Sequence, residues 1–588
     1  MGVMTRILSI IGGITAVVLL ILIVMGVYTR VTRATIPSKT ILEIDFGKGL
    51  VEQTPFGFLG RMGREEVLVM RDVVSALEFA ATDNRVKGLI ARIDGAPFSY
   101  ADVQEIGQAI KMFSESGKPA IAFAETFGEV QSGNSCYYLA SFFDSVYLQP
   151  SGDLGLTGLL SQSPFFKDLL EKLDIQPLLG ARKEYKTARN LFTETEFTDE
   201  HRDANQAIIN SVLSTMVEDI SVLRNISLQQ LRKLVSDGPF SAQQALDVGL
   251  VDGLRYRDQV YNLISEKVAK DSKFLYINRY IERLRPGARR GPAVALIYAQ
   301  GNIVRGPSRF NPLSGESVVG AQTVSAAIRA AVRDKQTEAI ILRINSPGGS
   351  YVGSDIIWRE VANAQKSGVP VIASMGAVAG SGGYFIAMNA NQIVAQPSTI
   401  TGSIGVVGGK FDLRGPFSTV GITFDDVATD PNAALWSTLH DYSDEHWEFI
   451  QSWLDTIYND FINKVVQGRS LEKQTVEQIA KGRIYTGSEA LELGLIDSTG
   501  GLSLAIEIAK EYLGVAAERP VQIKMFPRKK TLWEQVFARP PESSEDSGVD
   551  MSHIPAVSSL KVLKQLAQKL GVFSYQRGTL LMDEPFFQ

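Results

Sequence analysis

Two glycine-rich runs carry residue types that could do chemistry. ILRINSPGGS (341–350) and MGAVAGSGGYFIA (375–387) each end an apolar, strand-like segment in glycines and small residues, and a helical pattern follows each. Glycine after a strand lets a substrate backbone come close and leaves main-chain N–H groups available to an anion. Ser381 stands among the second set of glycines, where the next helical pattern opens. A hydroxyl beside an N–H-rich turn is what a covalent nucleophile and its oxyanion site require. A lone pair of glycines makes a tight strand-to-helix turn and nothing more. Two such turns after neighbouring strands, one bearing a serine, point to a catalytic centre.

The elements that must hold these runs are legible around them. AIILRI and PVIASM are short and apolar, bounded by Gly and Pro, and read as buried parallel strands. VGSDIIWREVANAQKSG between them has helical spacing and a stop at Gly368, which completes a strand–helix–strand unit.

The unit occurs twice. DNRVKGLIARID (83–94) lies on DKQTEAIILRIN (334–345), with Asp83 on Asp334 and Arg92 on Arg343, an offset of 251. SGKPAIAF matches SGVPVIAS at the same offset; YYLAS then matches YFIAM at 247, and ALDVGLVDG matches ALELGLIDS at 245. A period near 250 means two copies of one fold. The expected fold class is therefore α/β, with a first repeat domain over 41–285 and a second over 290–519. They are joined by the basic, Pro/Gly-containing LRPGARRGP (284–292). Residues 520–588 have no counterpart in the first copy. They hold the acidic PPESSEDSGVD, disordered by composition, and SSLKVLKQLAQKL, which has helical spacing.

Composition narrows the class. A length of 588 residues exceeds one core, and 45% hydrophobic with 21% charged residues is an ordinary globular balance. A net charge of −5 gives no reason to expect nucleic acid. The single cysteine, Cys136, excludes an intrachain disulfide and reads as a small buried residue. No His/Cys/Asp cluster has ligand spacing and no P-loop is present, so neither a metal, another cofactor nor ATP is expected. Within the first 40 residues, Ile7–Tyr28 is uncharged and long enough to span a bilayer as a single anchor. Arg6 precedes this span and Arg30, Arg33 and Lys39 follow it. A positive-inside count thus places the large domain in the cytoplasm, though long domains translocate largely regardless of charge.

A duplicated chain is its own control: positions that hold the fold should agree between copies, whereas positions needed for chemistry can diverge. Gly348 and Gly349 fall on Pro97 and Phe98, and proline has no N–H to offer. Ser381 falls near Asn134 and Ser135, Ser403 on Leu156, and Lys186 on Ala433. The second copy thus holds a serine, an N–H-rich turn and a second hydroxyl, while the first holds a lysine without a counterpart. A serine needs a neighbouring base. None of the four histidines, His201, His440, His446 and His553, lies in the glycine-rich runs, which leaves a Ser–Lys pair. Lys186 must then be neutral, a state that burial favours; taken alone within ARKEYKTAR it reads as a solvated surface charge.

RINSPGGS, GSGGYFIA and QPSTITGSIGV, with EYKTA in the preceding copy, resemble the signal peptide peptidase A family in its long, tandem-repeat bacterial form. The resemblance covers roughly residues 40–515. It implies two tandem domains of the Clp protease/crotonase fold after an N-terminal transmembrane helix, and a Ser–Lys serine endopeptidase that hydrolyses remnant signal peptides and other small or unfolded peptides. By the same resemblance Ser381 is the nucleophile, Lys186 the general base and Ser403 the hydroxyl that holds the lysine. The oxyanion donors are the N–H groups of Gly349 and Gly382, with Gly348 beside them. The family further implies a ring-like homo-oligomer, a tetramer, and an inner-membrane protein whose catalytic domain is extracytoplasmic, against the positive-inside count. Gly380 stands where the family usually has alanine, and Thr187 where it commonly has serine. Competing readings are a crotonase-like acyl-CoA enzyme, which needs neither Ser381 nor Lys186, a non-catalytic membrane scaffold, and an α/β-hydrolase using His446. The last lacks the first glycine of its elbow, where Ala379 stands.

Overall fold

In the computed structural model the described residues are 20–21, 35–53, 67–94, 98–284, 291–310, 316–516, 519–527, 579–581 and 586–587. The expected span over 7–28 lies outside them except for Leu20 and Ile21, which are helical, and so does the helical pattern at 558–570. No described helix is long and apolar enough to cross a membrane.

Each copy is built on a parallel sheet. The first runs Gly253–Leu254, Ser145–Leu148, Ala120–Ala124, Val86–Arg92, Thr40–Asp45, Lys273–Tyr276. In the second, Ser498–Thr499, Gln392–Ala395, Val371–Gly380, Thr337–Ser346, Ala293–Gln300 and Gln522–Phe526 take the same places in the same order. The repeat read from sequence is thus a repeat of topology. The last strand, Gln522–Phe526, lies beyond residue 519, so the second sheet extends past the end expected for its domain. Its counterpart in the first copy is Lys273–Tyr276, which likewise pairs with the first long strand of its sheet. Helices cover the sheet faces, and residues such as Ile340, Leu342, Ala373 and Phe385 are fully buried between the layers. Central strands buried on both faces read as continuous apolar runs, which is why the sequence located them.

The copies differ at the carboxyl ends of their central strands. Val86–Arg92 and Ala120–Ala124 stop where their equivalents Thr337–Ser346 and Val371–Gly380 continue. The extension of the latter pairs in parallel with Ile400–Gly402, Gly380 against Gly402. A further sheet of seven strands lies beside these ends and is made by both copies. In it, strand Gln176–Arg182 of the first copy pairs antiparallel with Val406–Asp412 of the second over seven residue pairs. Leu179, Phe411, Leu413 and Leu170 bury one face of this joint, and Arg182 fixes its end through Asp455 at 2.6 Å and Gln451 at 2.9 Å.

Candidate active site

Ser381 ends the extended strand and starts helix Gly382–Ala387, with a left-handed φ of 52°. A left-handed non-glycine residue is strained and persists only where its surroundings over-determine it. Here its N–H donates to Gly402 O at 2.8 Å, and a Cβ on the adjacent Gly383 would lie 2.5 Å from Ser346 O. Ser403 has the same φ of 52° and donates its N–H to Arg483 O at 2.7 Å. The 22-residue spacing of the two serines follows from the register. Each comes directly after one of the paired glycines, Gly380 and Gly402, so both hydroxyls emerge at the same level of neighbouring strands.

Lys186 enters from the first copy on the chain that leaves the arm Gln176–Arg182. Its Nζ donates to Ser381 Oγ at 2.9 Å, Ser403 Oγ at 2.9 Å and Ser403 O at 3.0 Å. All three residues are buried, and the pair forms within one chain. Burial of the lysine depends on Gly482, whose Cβ, if it had one, would lie 2.5 Å from Lys186 N; its φ of +85° also favours glycine. Sequence reasoning missed this residue, because a glycine between Lys481 and Arg483 looks like any helix-terminating turn. The charges flanking the lysine are engaged elsewhere. Glu184 pairs with Lys481 at 3.0 Å, and Lys183 lies over the Tyr458 ring.

The amide-bearing turn is strand Gly348–Ser350, held parallel to Asn302–Val304. Gly349, with φ +144°, sits so close to Ile303 that a Cβ would lie 2.2 Å from its carbonyl oxygen. A Cβ on Gly382 would lie 3.1 Å from Gly349 N, so the backbones of these two expected donors abut. The N–H of Gly348, also expected at this site, donates to Ser346 Oγ at 3.2 Å. A neutral amine hydrogen-bonded to a buried hydroxyl can take its proton, and amides at a neighbouring turn can hold the oxyanion that results.

The histidines are placed differently. His201 packs edge-on against Phe197, and burial lowers its pKa to about 4, so the ring is neutral at pH 7. His440 lies 3.4 Å from Asp426.

Behind the site is a cluster that sequence reasoning used only as a repeat marker. Arg343 is fully buried, pairing with Glu52 at 2.6 Å and Glu105 at 2.7 Å, both from the first copy. It also donates to Ser374 Oγ and Met375 O, midway along the nucleophile strand. Glu105 accepts in addition from Leu502 N at 2.8 Å. Helix Tyr100–Glu115 is thereby bound to the second copy through the same strands that end in the site.

A fold duplicated in this way, with a buried hydroxyl–amine pair across its two halves, defines a class of serine hydrolase in which neither half holds the whole site. The family model for peptidase family S49 matches residues 112–271 and 363–516. The chain is 30% identical to Protease 4 of Salmonella typhi, over 95% of this chain and 92% of that protein. It is also 30% identical to the chloroplastic serine protease SPPA of Arabidopsis thaliana, over 86% and 73%. Among solved structures, the 1510-N membrane-bound stomatin-specific protease aligns with 41% of this chain at 18% identity and a TM-score of 0.24. The chain belongs to peptidase family S49 and is a serine peptidase.

Proposed function

We propose that the chain is an endopeptidase in which Ser381 is the nucleophile and Lys186 the base, and that it degrades remnant signal peptides and other short or unfolded peptides. One observation carries the assignment: the 2.9 Å hydrogen bond between Lys186 Nζ and Ser381 Oγ, both buried. Ser381 Oγ attacks the peptide carbonyl carbon as its proton passes to neutral Lys186, and the oxyanion is held by the N–H groups of Gly349 and Gly382. Collapse gives the acyl-enzyme while Lys186 returns the proton to the leaving amine. Water then attacks the ester by the same route, its proton passing through Lys186 to Ser381 Oγ as the acid departs. Ser403 keeps Nζ aimed through its hydroxyl and carbonyl. The peptide lies extended along strand Gly348–Ser350, using main-chain hydrogen bonds that do not discriminate sequence.

Peptidase activity on signal peptides is supported by the family match. The uncharged stretch 7–28 supports a single-pass anchor in the inner membrane, and the family supports an extracytoplasmic catalytic domain and a homo-oligomer, a tetramer. Protease accessibility in sealed cells against inverted vesicles tests the orientation; cleavage from the cytoplasmic side alone refutes it.

The base is tested by pH. A lysine works only when deprotonated, from an unperturbed pKa of about 10.4, which burial lowers. kcat/KM should rise through one ionisation above neutrality, and Lys186→Ala should remove that ionisation with nearly all turnover. A rise near pH 6.5 that survives Lys186→Ala would make histidine the base.

A further inference from the structure

The two expected oxyanion donors sit on separate elements, so their spacing is set by how two helices pack. Gly349 leads into helix Tyr351–Lys366, and Gly382 opens helix Gly382–Ala387. These helices meet where the Tyr351 ring stands edge-on to that of Phe385, at 5.8 Å. Phe385 also donates its N–H to Ser381 O at 2.8 Å, one turn from the nucleophile. A third element closes over this contact. From helix Asp444–Arg469, Lys464 Nζ lies 5.1 Å from the centre of the Phe385 ring and 4.5 Å from that of Trp358. Phe461 of the same helix lies 4.8 Å from Phe385. Lys464 Nζ pairs at 2.6 Å with Asp355 of the turn helix and at 2.6 Å with Asp460 of its own. Tyr351 in turn donates its hydroxyl to Asp460 at 2.7 Å.

The other copy shows that the fold can be built without this cation. At the offset of 251, Tyr351, Asp355 and Trp358 fall on Tyr100, Gln104 and Gly107, and at 247 Phe385 falls on Tyr138. At 245, which also aligns the first residues of helices Asp199–Leu223 and Asp444–Arg469, Lys464 falls on Asp219. There the Tyr138 hydroxyl donates to Asp219. A hydroxyl bonded to a carboxylate thus stands where the second copy sets an ammonium over a ring. We propose that Lys464 is a positioning residue for the reaction: it locks the helix of Ser381 against the helix that follows the oxyanion turn, and so fixes the nucleophile relative to its amides. The inference rests on the Ser381–Lys186 reading of the site. The ammonium is mostly buried, and a desolvated cation is held by an aromatic face more firmly than a hydrated one. A polar network whose members are all bonded specifies one arrangement of the elements it joins. Without it, Phe385 and Tyr351 keep their apolar contact and lose what fixes its geometry.

The test counts only folded enzyme. In the full chain, peptide turnover is measured per serine titrated with a fluorophosphonate, well below the Tm of each variant. Lys464→Met keeps the length of the stem and removes the charge. It should lower kcat per titrated serine by about 10- to 100-fold, since a displacement near 1 Å can cost about 10²-fold. Lys464→Arg keeps a cation over the rings and should recover most of that loss. Asp219→Asn, at the same place in the other copy, should leave kcat per titrated serine within about twofold. A Lys464→Met chain with parental kcat per titrated serine, or an equal fall in Lys464→Met and Asp219→Asn, overturns the inference, because the lysine would then serve the fold alone. Should Lys464→Met give no titratable serine, Tyr351→Phe reads the same clamp by removing the hydroxyl that ties the turn helix to Asp460. A several-fold lower kcat per titrated serine is expected there, and an unchanged one overturns the inference as well. Failure of the Ser–Lys reading shows separately, as activity that survives Lys186→Ala.

Discussion

Arg92 and Arg343 occupy the same place in the two copies and do different things. Arg92 sits at a strand end facing solvent, 29% exposed, paired with Asp94 and with Glu125 at 3.3 Å. Arg343 is buried because its strand continues, and its carboxylate partners come from the other copy. The oxyanion turn diverges in the same manner. Tyr137 and Tyr384, both bonded through their hydroxyls to a leucine carbonyl, fix the alignment at 247, which sets Asn134 on Ser381 and Ser135 on Gly382. Ser135 Oγ accepts the N–H of Phe98, the residue on Gly349, at 3.1 Å. The first copy thus bonds a serine side chain to its turn amide where the second has only glycine. One copy has become a scaffold that lends a lysine; the other keeps its turn bare.

The sharpest way to break this comparison is to remove the two serines in turn. Ser381→Ala should lower kcat/KM by at least about 10³-fold and abolish labelling by a fluorophosphonate, because loss of an activated nucleophile costs orders of magnitude. Ser135→Ala should leave kcat/KM within about twofold, since its partner is a scaffold amide. Comparable losses in both variants would mean that the first copy has chemistry of its own.

Next in size is the bare turn. Gly382→Ser builds the serine of the first copy into the second, and losing one oxyanion donor typically costs about 10²–10³ in kcat. Circular dichroism checks the fold, since a Cβ there also lies 2.7 Å from Ser354 Oγ. A folded Gly382→Ser variant with full kcat would show that the Gly349 amide, which the added hydroxyl would occupy, is not a donor.

The arginines make a smaller and structural contrast. Removing one partner of a buried ion pair costs about 3–5 kcal/mol, whereas a surface pair is worth about 0–1 kcal/mol. Urea unfolding should therefore show Arg343→Met far less stable than Arg92→Met; equal losses would mean that the buried cluster does not join the copies.

The smallest effect is a pH dependence from the same cluster. Burial, and secondly the charge of Glu52, pushes Asp102 up to about 7 from its ordinary 3.8. Between these values the folded protein keeps a proton that the unfolded chain releases. This contribution to stability is complete below about pH 4 and is lost as pH rises through about 7. Asp102→Asn should shrink the fall in Tm between pH 5 and 8, and an unchanged fall would assign it to other groups.

What the sequence revealed and what it hid follow from where the signals lie. The duplicated sheet was legible because buried parallel strands are apolar runs, and runs such as GLIAR and AIILR survive divergence. Ser381 and the two-glycine turn were legible because tight turns after strands need small residues, whereas Ser403, which lies between strands Ile400–Gly402 and Val406–Asp412, was singled out by its lack of a counterpart and by the family resemblance. Gln522–Phe526 went unread because an edge strand carries Lys524 among its apolar residues, and its relation to Lys273–Tyr276 is one of position rather than sequence. The pairing of Gln176–Arg182 with Val406–Asp412 has no local signature, since nothing in either strand names its partner more than 200 residues away. Gly482 was invisible for the same reason: its constraint is the backbone of Lys186.

That crossing also sets a timetable for the newborn chain. The lysine is translated first, its serine 195 residues later, and the glycine that seals it in later still, at position 482. At about 5–20 residues per second, the interval from lysine to serine lasts on the order of ten seconds or more. On the proposed Ser381–Lys186 assignment, the emerging polypeptide throughout that interval holds half of a protease and cannot cut itself or its neighbours on the ribosome.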